Sequence, residues 1–143
     1  MNQNKITELI INDRKEWQLL AASLDAHQGK TLHAAPSDPW NSRDVYAHLA
    51  RWMEYSTREI KAYLAGQNLS PPMGNPEEIN SYWQSLDSQL SLPEARQKAY
   101  DAFEERIATI RSIPLERWDF KLEKMVEYDG AEHYKMHRNY IQV

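Results

Sequence analysis

"WNSRDVYAHLARWMEYSTREIKAYLAG", residues 40–66, reads as one long helix with its start and stop written into it. Asn41 can cap the free amide groups of a first turn, and Asp44 lies three residues on, where a negative charge favours the positive end of the helix. Val45, Leu49, Trp52, Met53, Ser56, Ile60 and Leu64 then recur at helical spacing until Gly66 interrupts them. An apolar stripe of this length has to be covered by other helices, so the rest of the chain decides what kind of helical protein this is.

Upstream, Ile6, Leu9, Ile10, Asp13, Trp17, Leu20 and Leu24 keep the same period and predict a first helix from about Asn4 to His27, ending before Gly29. A loop with two prolines follows, from Gln28 to Trp40. Downstream, "GQNLSPPMGNP" is loop, and Asn75, Pro76, Glu77 and Glu78 give a cap, a first-turn proline and two acids. "SLPEARQKAYDAFEERIATIRSIP" repeats that order with Ser91, Pro93 and Glu94, and Pro114 closes it. These signals predict a broken third helix, over 76–90 and 92–112. After an irregular "LERWDFKLEKMVEY", Asp129 and Glu132 resemble a capping box for a short last helix from Gly130 to about Gln142. The expectation is all-α: a single four-helix bundle domain over residues 1–143.

Composition agrees with a soluble helical protein: 41% hydrophobic residues, 27% charged residues and only 4 glycines in 143 residues. A net charge of −4 supplies no concentrated basic patch, so nucleic acid is disfavoured as a partner. The opening "MNQNKITELIINDRKEW" has no apolar signal-peptide core, and no run approaches the roughly 18 apolar residues of a membrane span, so no membrane association and a cytoplasmic location are expected. The chain has no cysteine, which removes disulfides, zinc-thiolate sites and a cysteine nucleophile. Thiol chemistry would need a thiol from outside.

The histidines carry the functional signal. "AEHYKMHRNYI", residues 131–141, sets His133 and His137 four apart, about 40° from each other on a helical wheel. Tyr140, Met136 and Ile141 fall on the same side; Glu132, Lys135, Arg138, Asn139 and Gln142 take the other. Two imidazoles in the face that turns inward need partners, because an unsatisfied buried polar group costs about 1–3 kcal/mol. Packing against Tyr or Glu side chains is one solution. A shared divalent ion is the other, since an i, i+4 pair can direct two nitrogens at one metal. His48 stands at the flank of the stripe of residues 40–66 and offers a third ligand, giving a set suited to Zn, Ni or Fe with positions left open. His27, near the end of the first helix, and His33, in a polar loop, are assigned structural or solvated roles.

At this point the pattern resembles a known family. "PWNSRDVYAHLARW", residues 39–52, is similar to the W-[ST]-x-x-D-x-x-x-H-L signature of the DinB-like superfamily, a group assigned as metalloenzymes, and "EHYKMH" is similar to its H-x-x-x-H on the last helix. Asn41 stands where the signature has Ser or Thr, and it caps as well. The middle of the chain, "INSYWQSLDSQLSLPEARQKAYDAFEERIATIRSIP", resembles the ClbS/DfsB branch of the same superfamily. The resemblance implies a four-helix bundle with a metal triad of His48, His133 and His137. It also implies either a thiol-dependent transfer, with an external low-molecular-weight thiol, or the disarming of an electrophilic genotoxin without a metal.

The expected function is therefore action on an electrophilic small-molecule substrate at a three-histidine metal site, by thiol-dependent transfer or by hydrolysis. The alternative is a metal-free, ClbS/DfsB-like protein that binds a small molecule or confers toxin resistance. A third reading is a bundle that forms a homodimer and uses an ion only to staple its helices. Tyr55 and Glu59 follow His48 on the same edge of their helix and are the candidate catalytic proton donors or pocket residues; Tyr55 also reads as core-flanking. Asp44 can orient the second nitrogen of His48 or simply stabilise the helix start. Trp40, Trp52 and Trp83 are candidates for an apolar wall, or for core. Glu127 and Asp129 are candidates for a further ligand.

Overall fold

A computed structural model describes residues 1–32, 40–69 and 75–141. His33, most of the loop before Trp40, the proline-rich part of the loop before Asn75, and Gln142 lie outside the described residues. The elements in chain order are α1 (Gln3–Ala26), α2 (Ser42–Leu64), α3 (Pro76–Leu86), α4 (Leu92–Ser112), a 3-10 turn (Leu115–Arg117), α5 (Phe120–Glu127), a widened π-turn (Tyr128–Glu132) and α6 (His133–Tyr140). Among the described residues the only extended pairing is an isolated bridge between Leu32 and Trp40. The fold is an all-α helical bundle.

The caps explain where these helices begin. Asn41 accepts from the Asp44 amide while the Asp44 carboxylate accepts from the Asn41 amide, a reciprocal box that fixes the first turn of α2. Ser91 and Glu94 form the same box on α4, with Pro93 in its first turn. Asn75 caps α3, whose first residue is Pro76. The break between α3 and α4 is real. α3 packs against α2, and α4 runs along α2 as the most extensive helix pair in the molecule.

The core is apolar and aromatic. Trp17 of α1 stacks on Phe103 of α4, ring centroids 5.4 Å apart, and lies 5.7 Å from Tyr134 of α6. Leu20, Leu24, Val45, Leu49, Ile60, Ile107 and Leu122 complete it, each at 0–1% exposure; burying one such side chain contributes about 1.5–3 kcal/mol. α2 is pinned to α1 by Ser42, whose hydroxyl donates to the Leu24 carbonyl at 2.7 Å, and by Tyr46, whose hydroxyl donates to Asp25 at 2.6 Å.

The end of the bundle differs from the sequence expectation. Asp129 and Glu132 do not cap a new helix. The cap is ten residues earlier, where Asp119 accepts from the Leu122 amide, and the chain runs from Phe120 to Tyr140 as one helical path bent at Gly130 (φ −110°, ψ −109°). The face of α6 is also rotated. Tyr134, not Met136, enters the core: Tyr134 is fully buried against Trp17, whereas Met136 is 42% exposed. The reason is packing, since α6 and the π-turn lie along α1.

Candidate metal centre

α2 brings His48 to the side of the bundle where α6 presents His133 and His137. The three rings meet through their Nε2 atoms: His48 to His137 at 3.1 Å, and His137 to His133 at 3.0 Å. Each residue offers a nitrogen within 4.8 Å of the others. Two Zn–N bonds of ~2.0–2.1 Å place their nitrogens about 2.9 Å apart at a right angle and about 3.3 Å apart at the tetrahedral angle. The two observed separations fall inside that interval. Each of these two pairs therefore fits adjacent ligands of one divalent ion, and the three histidines form a group that could hold one.

The electrostatics point the same way. Burial first, and then the neighbouring imidazoles, hold the His48 ring well below its ordinary pKa, with only Asn80 favouring the charged form. Burial likewise pushes His133 down to about 3, helped by His137 and by the Arg106 guanidinium. Both rings are neutral near pH 7, which is the state that ligates a metal. His48 Nδ1 is buried and makes no hydrogen bond of normal geometry; the neighbouring Asn80 Oδ1 accepts from Trp52 Nε1 at 3.1 Å. Asp44 does not reach it: its carboxylate is used on the Asn41 amide and on Arg43, so of the two roles open to Asp44 the structure gives it the helix start.

His133 is only partly buried because it opens on a cleft of about 320 Å3. Trp52, Tyr55, Glu59, Tyr128 and Asp129 share its walls. Glu59 and Asp129 form a hydrogen-bonded carboxyl pair; burial first, and then Asp129, push Glu59 up to about 7, against the pull of Lys121. Two adjacent carboxyls cannot both ionise cheaply, so the pair retains a proton near neutrality. Tyr55 is pushed up by burial and by Glu59 and Asp129, so its hydroxyl stays protonated.

Trp40 and Trp52 flank the His48 ring at 4.9 and 6.3 Å, and Trp83 packs edge-on against Trp52 at 4.9 Å. The indoles thus form a wall behind the triad, with Trp40 itself in the core. Of the two acids considered as further ligands, Asp129 lines the cleft, while Glu127 is paired with Lys124 at 3.2 Å. His27 caps α1, its Nδ1 2.7 Å from the Ser23 carbonyl.

Sequence reasoning missed Arg106. It is fully buried in α4, three residues after Phe103 and one before Ile107, so its place on an apolar face was the available signal. It donates to Asp13 at 2.8 Å, to the Ser56 hydroxyl at 2.9 Å and to the Val126 carbonyl at 2.9 Å.

No family model matches the chain, and no curated protein matches it in sequence. Among solved structures it is similar to the crystal structure of an uncharacterised protein from Escherichia coli UTI89, with a TM-score of 0.73 over 96% of both chains at 14% identity. That likeness is one of fold. Fold and site together define an all-α bundle with a three-histidine group able to hold a metal ion. No helix among the described residues is long and apolar enough to cross a membrane.

Proposed function

We propose that the protein is a DinB-like metalloenzyme that holds one divalent ion, Zn, Ni or Fe, on His48, His133 and His137 and acts on an electrophilic small molecule in the adjoining cleft. The observation that carries this reading is the approach of His137 Nε2 to His48 Nε2 at 3.1 Å and to His133 Nε2 at 3.0 Å, beside a cleft that His133 lines. A bound divalent ion supplies Lewis acidity and lowers the pKa of a coordinated water or thiol. The residues do the rest. Trp52, Tyr55 and Tyr128 give the cleft apolar and aromatic surface against which a small organic molecule can be held. The Glu59–Asp129 pair keeps one proton within the same walls, placed to protonate a leaving group or to accept a proton from the nucleophile. Tyr55 adds a hydroxyl donor.

Both chemistries, thiol transfer and hydrolysis, use this arrangement; they differ in whether a low-molecular-weight thiol or a water is the nucleophile. The chain has no cysteine of its own, so the thiol would be a second substrate.

The test is elemental analysis of protein prepared without an affinity tag or chelator, alongside the His133→Ala, His137→Ala double variant. Near-stoichiometric zinc, nickel or iron in the first and none in the second is expected. Metal-free wild type that stays metal-free after reconstitution would sink the proposal and favour a bundle that binds small molecules without an ion. Turnover of an electrophilic model substrate with and without added thiol then separates the two chemistries.

A further inference from the structure

We infer that Arg106 and Asp13 are positioning residues for the metal centre: they clamp the π-turn at Gly130 and thereby set the rotation of His133 and His137 against His48. The inference rests on the metal-site reading above and adds to it the device that gives the site its shape.

The clamp starts from an interior charge pair. Arg106 of α4 and Asp13 of α1 are exposed by 0% and 1%. Asp13 Oδ1 has no partner, so the pair is incompletely satisfied. A buried ion pair of that kind is weak as a source of stability, because desolvation opposes the attraction. What the pair does have is reach. Arg106 touches α1 through Asp13, α2 through Ser56 and α5 through the Val126 carbonyl.

The Val126 contact is the informative one. The Val126 carbonyl lies near the end of α5, two residues before the helix widens over Tyr128–Glu132. A guanidinium donates to it there, at 2.9 Å. Gly130 faces the same clamp from the other side: a Cβ added there would lie 1.9 Å from Asp13 Oδ2 and 2.9 Å from Arg106 Nη1. Only a residue without a side chain lets the turn close against the pair.

The geometry sets what is at stake. Each residue of an α-helix turns the chain by about 100° and advances it by about 1.5 Å. A turn that relaxes from the widened to the ordinary form would therefore rotate α6 relative to α5, and His133 and His137 would leave the point on which His48 converges. The ligands would be present in sequence and absent as a set.

The test is calorimetric titration of Zn2+, with Co2+ and its visible absorption spectrum as a second probe of coordination, on the full chain. The variants are Arg106→Met, Asp13→Asn and Gly130→Ala. Arg14→Met is the control, because it removes a more exposed ion pair, to Glu104, between the same two helices. Retained helical circular dichroism, a ~10- to 100-fold loss of Zn2+ affinity and an altered Co2+ spectrum are expected in the clamp variants, the range seen when groups behind a ligand shell are changed. Arg14→Met should bind as wild type does. If Arg106→Met does not fold, Asp13→Asn and Gly130→Ala carry the test. Clamp variants that bind Zn2+ as tightly as wild type, with an unchanged Co2+ spectrum, overturn the inference alone. Wild type that binds neither ion overturns the metal-site reading, and the inference with it.

Discussion

His48 and His137 are separated by 89 residues and face each other through Nε2 atoms 3.1 Å apart. Two neutral imidazoles share at most one N–H···N bond, and His133 brings a third ring nitrogen to within 3.0 Å of His137 Nε2. A bound cation would satisfy the three ring nitrogens at once, and the predictions follow from that reading.

Zn2+ should raise the thermal midpoint of the wild-type protein. An ion at 100 times its Kd stabilises a folded protein by about 2.7 kcal/mol when the unfolded chain does not bind it. In His48→Ala the increment should shrink towards zero at the same zinc concentration. Differential scanning calorimetry at matched zinc levels checks this, and equal shifts in both proteins would count against the triad.

Glu59 gives a pH dependence of defined sign. Its folded pKa is raised to about 7 from an ordinary 4.5, so between those values the folded state holds more protons than the unfolded one. The stabilisation is complete below about pH 4.5 and is lost as pH rises through about 7. Glu59→Gln should remove that loss, melting closer to wild type at pH 4.5 and above it at pH 8. The difference should stay below about 1 kcal/mol, because Glu59 keeps contact with water, which screens its interactions. Parallel melting curves across this range would refute the raised pKa.

Asn41→Ala removes one half of the reciprocal cap that starts α2 and should cost about 1 kcal/mol. Urea unfolding measures it; the slope with denaturant should be unchanged while the midpoint falls. Asn41→Ser, which restores a capping oxygen, should recover most of the loss.

Trp17→Ala should be far more damaging, about 3–5 kcal/mol. Its ring meets Tyr46, Tyr100, Phe103 and Tyr134, which belong to three other helices. A loss below about 1 kcal/mol in equilibrium unfolding would contradict this packing.

The helices that could be read from sequence were those with chemical punctuation. Asn41 with Asp44, Asn75 with Pro76, and Ser91 with Glu94 all cap where their side chains indicated, because capping is a local hydrogen bond that needs no tertiary context. The triad was legible for a related reason: an i, i+4 pair is fixed by helix geometry, and His48 stands at a predictable edge of α2. Asp129 and Glu132 misled because their spacing imitates a capping box while their backbone is already helical. The pull on that segment comes from Arg106 and Asp13, which are 93 residues apart and signal nothing to each other along the chain. Asp13 stood on the apolar stripe of α1 and Arg106 on that of α4. In the folded chain they are partners, 2.8 Å apart.

The distance along the chain between the ligands carries a consequence for assembly. With His48 on α2 and its two companions on α6, no contiguous fragment of one or two helices contains the site. The three histidines come together only when α2 and α6 dock, which closes a long loop at an entropic cost. Any metal uptake would then report completed assembly: a chain clipped anywhere before residue 133 loses two of the three histidines and carries no triad.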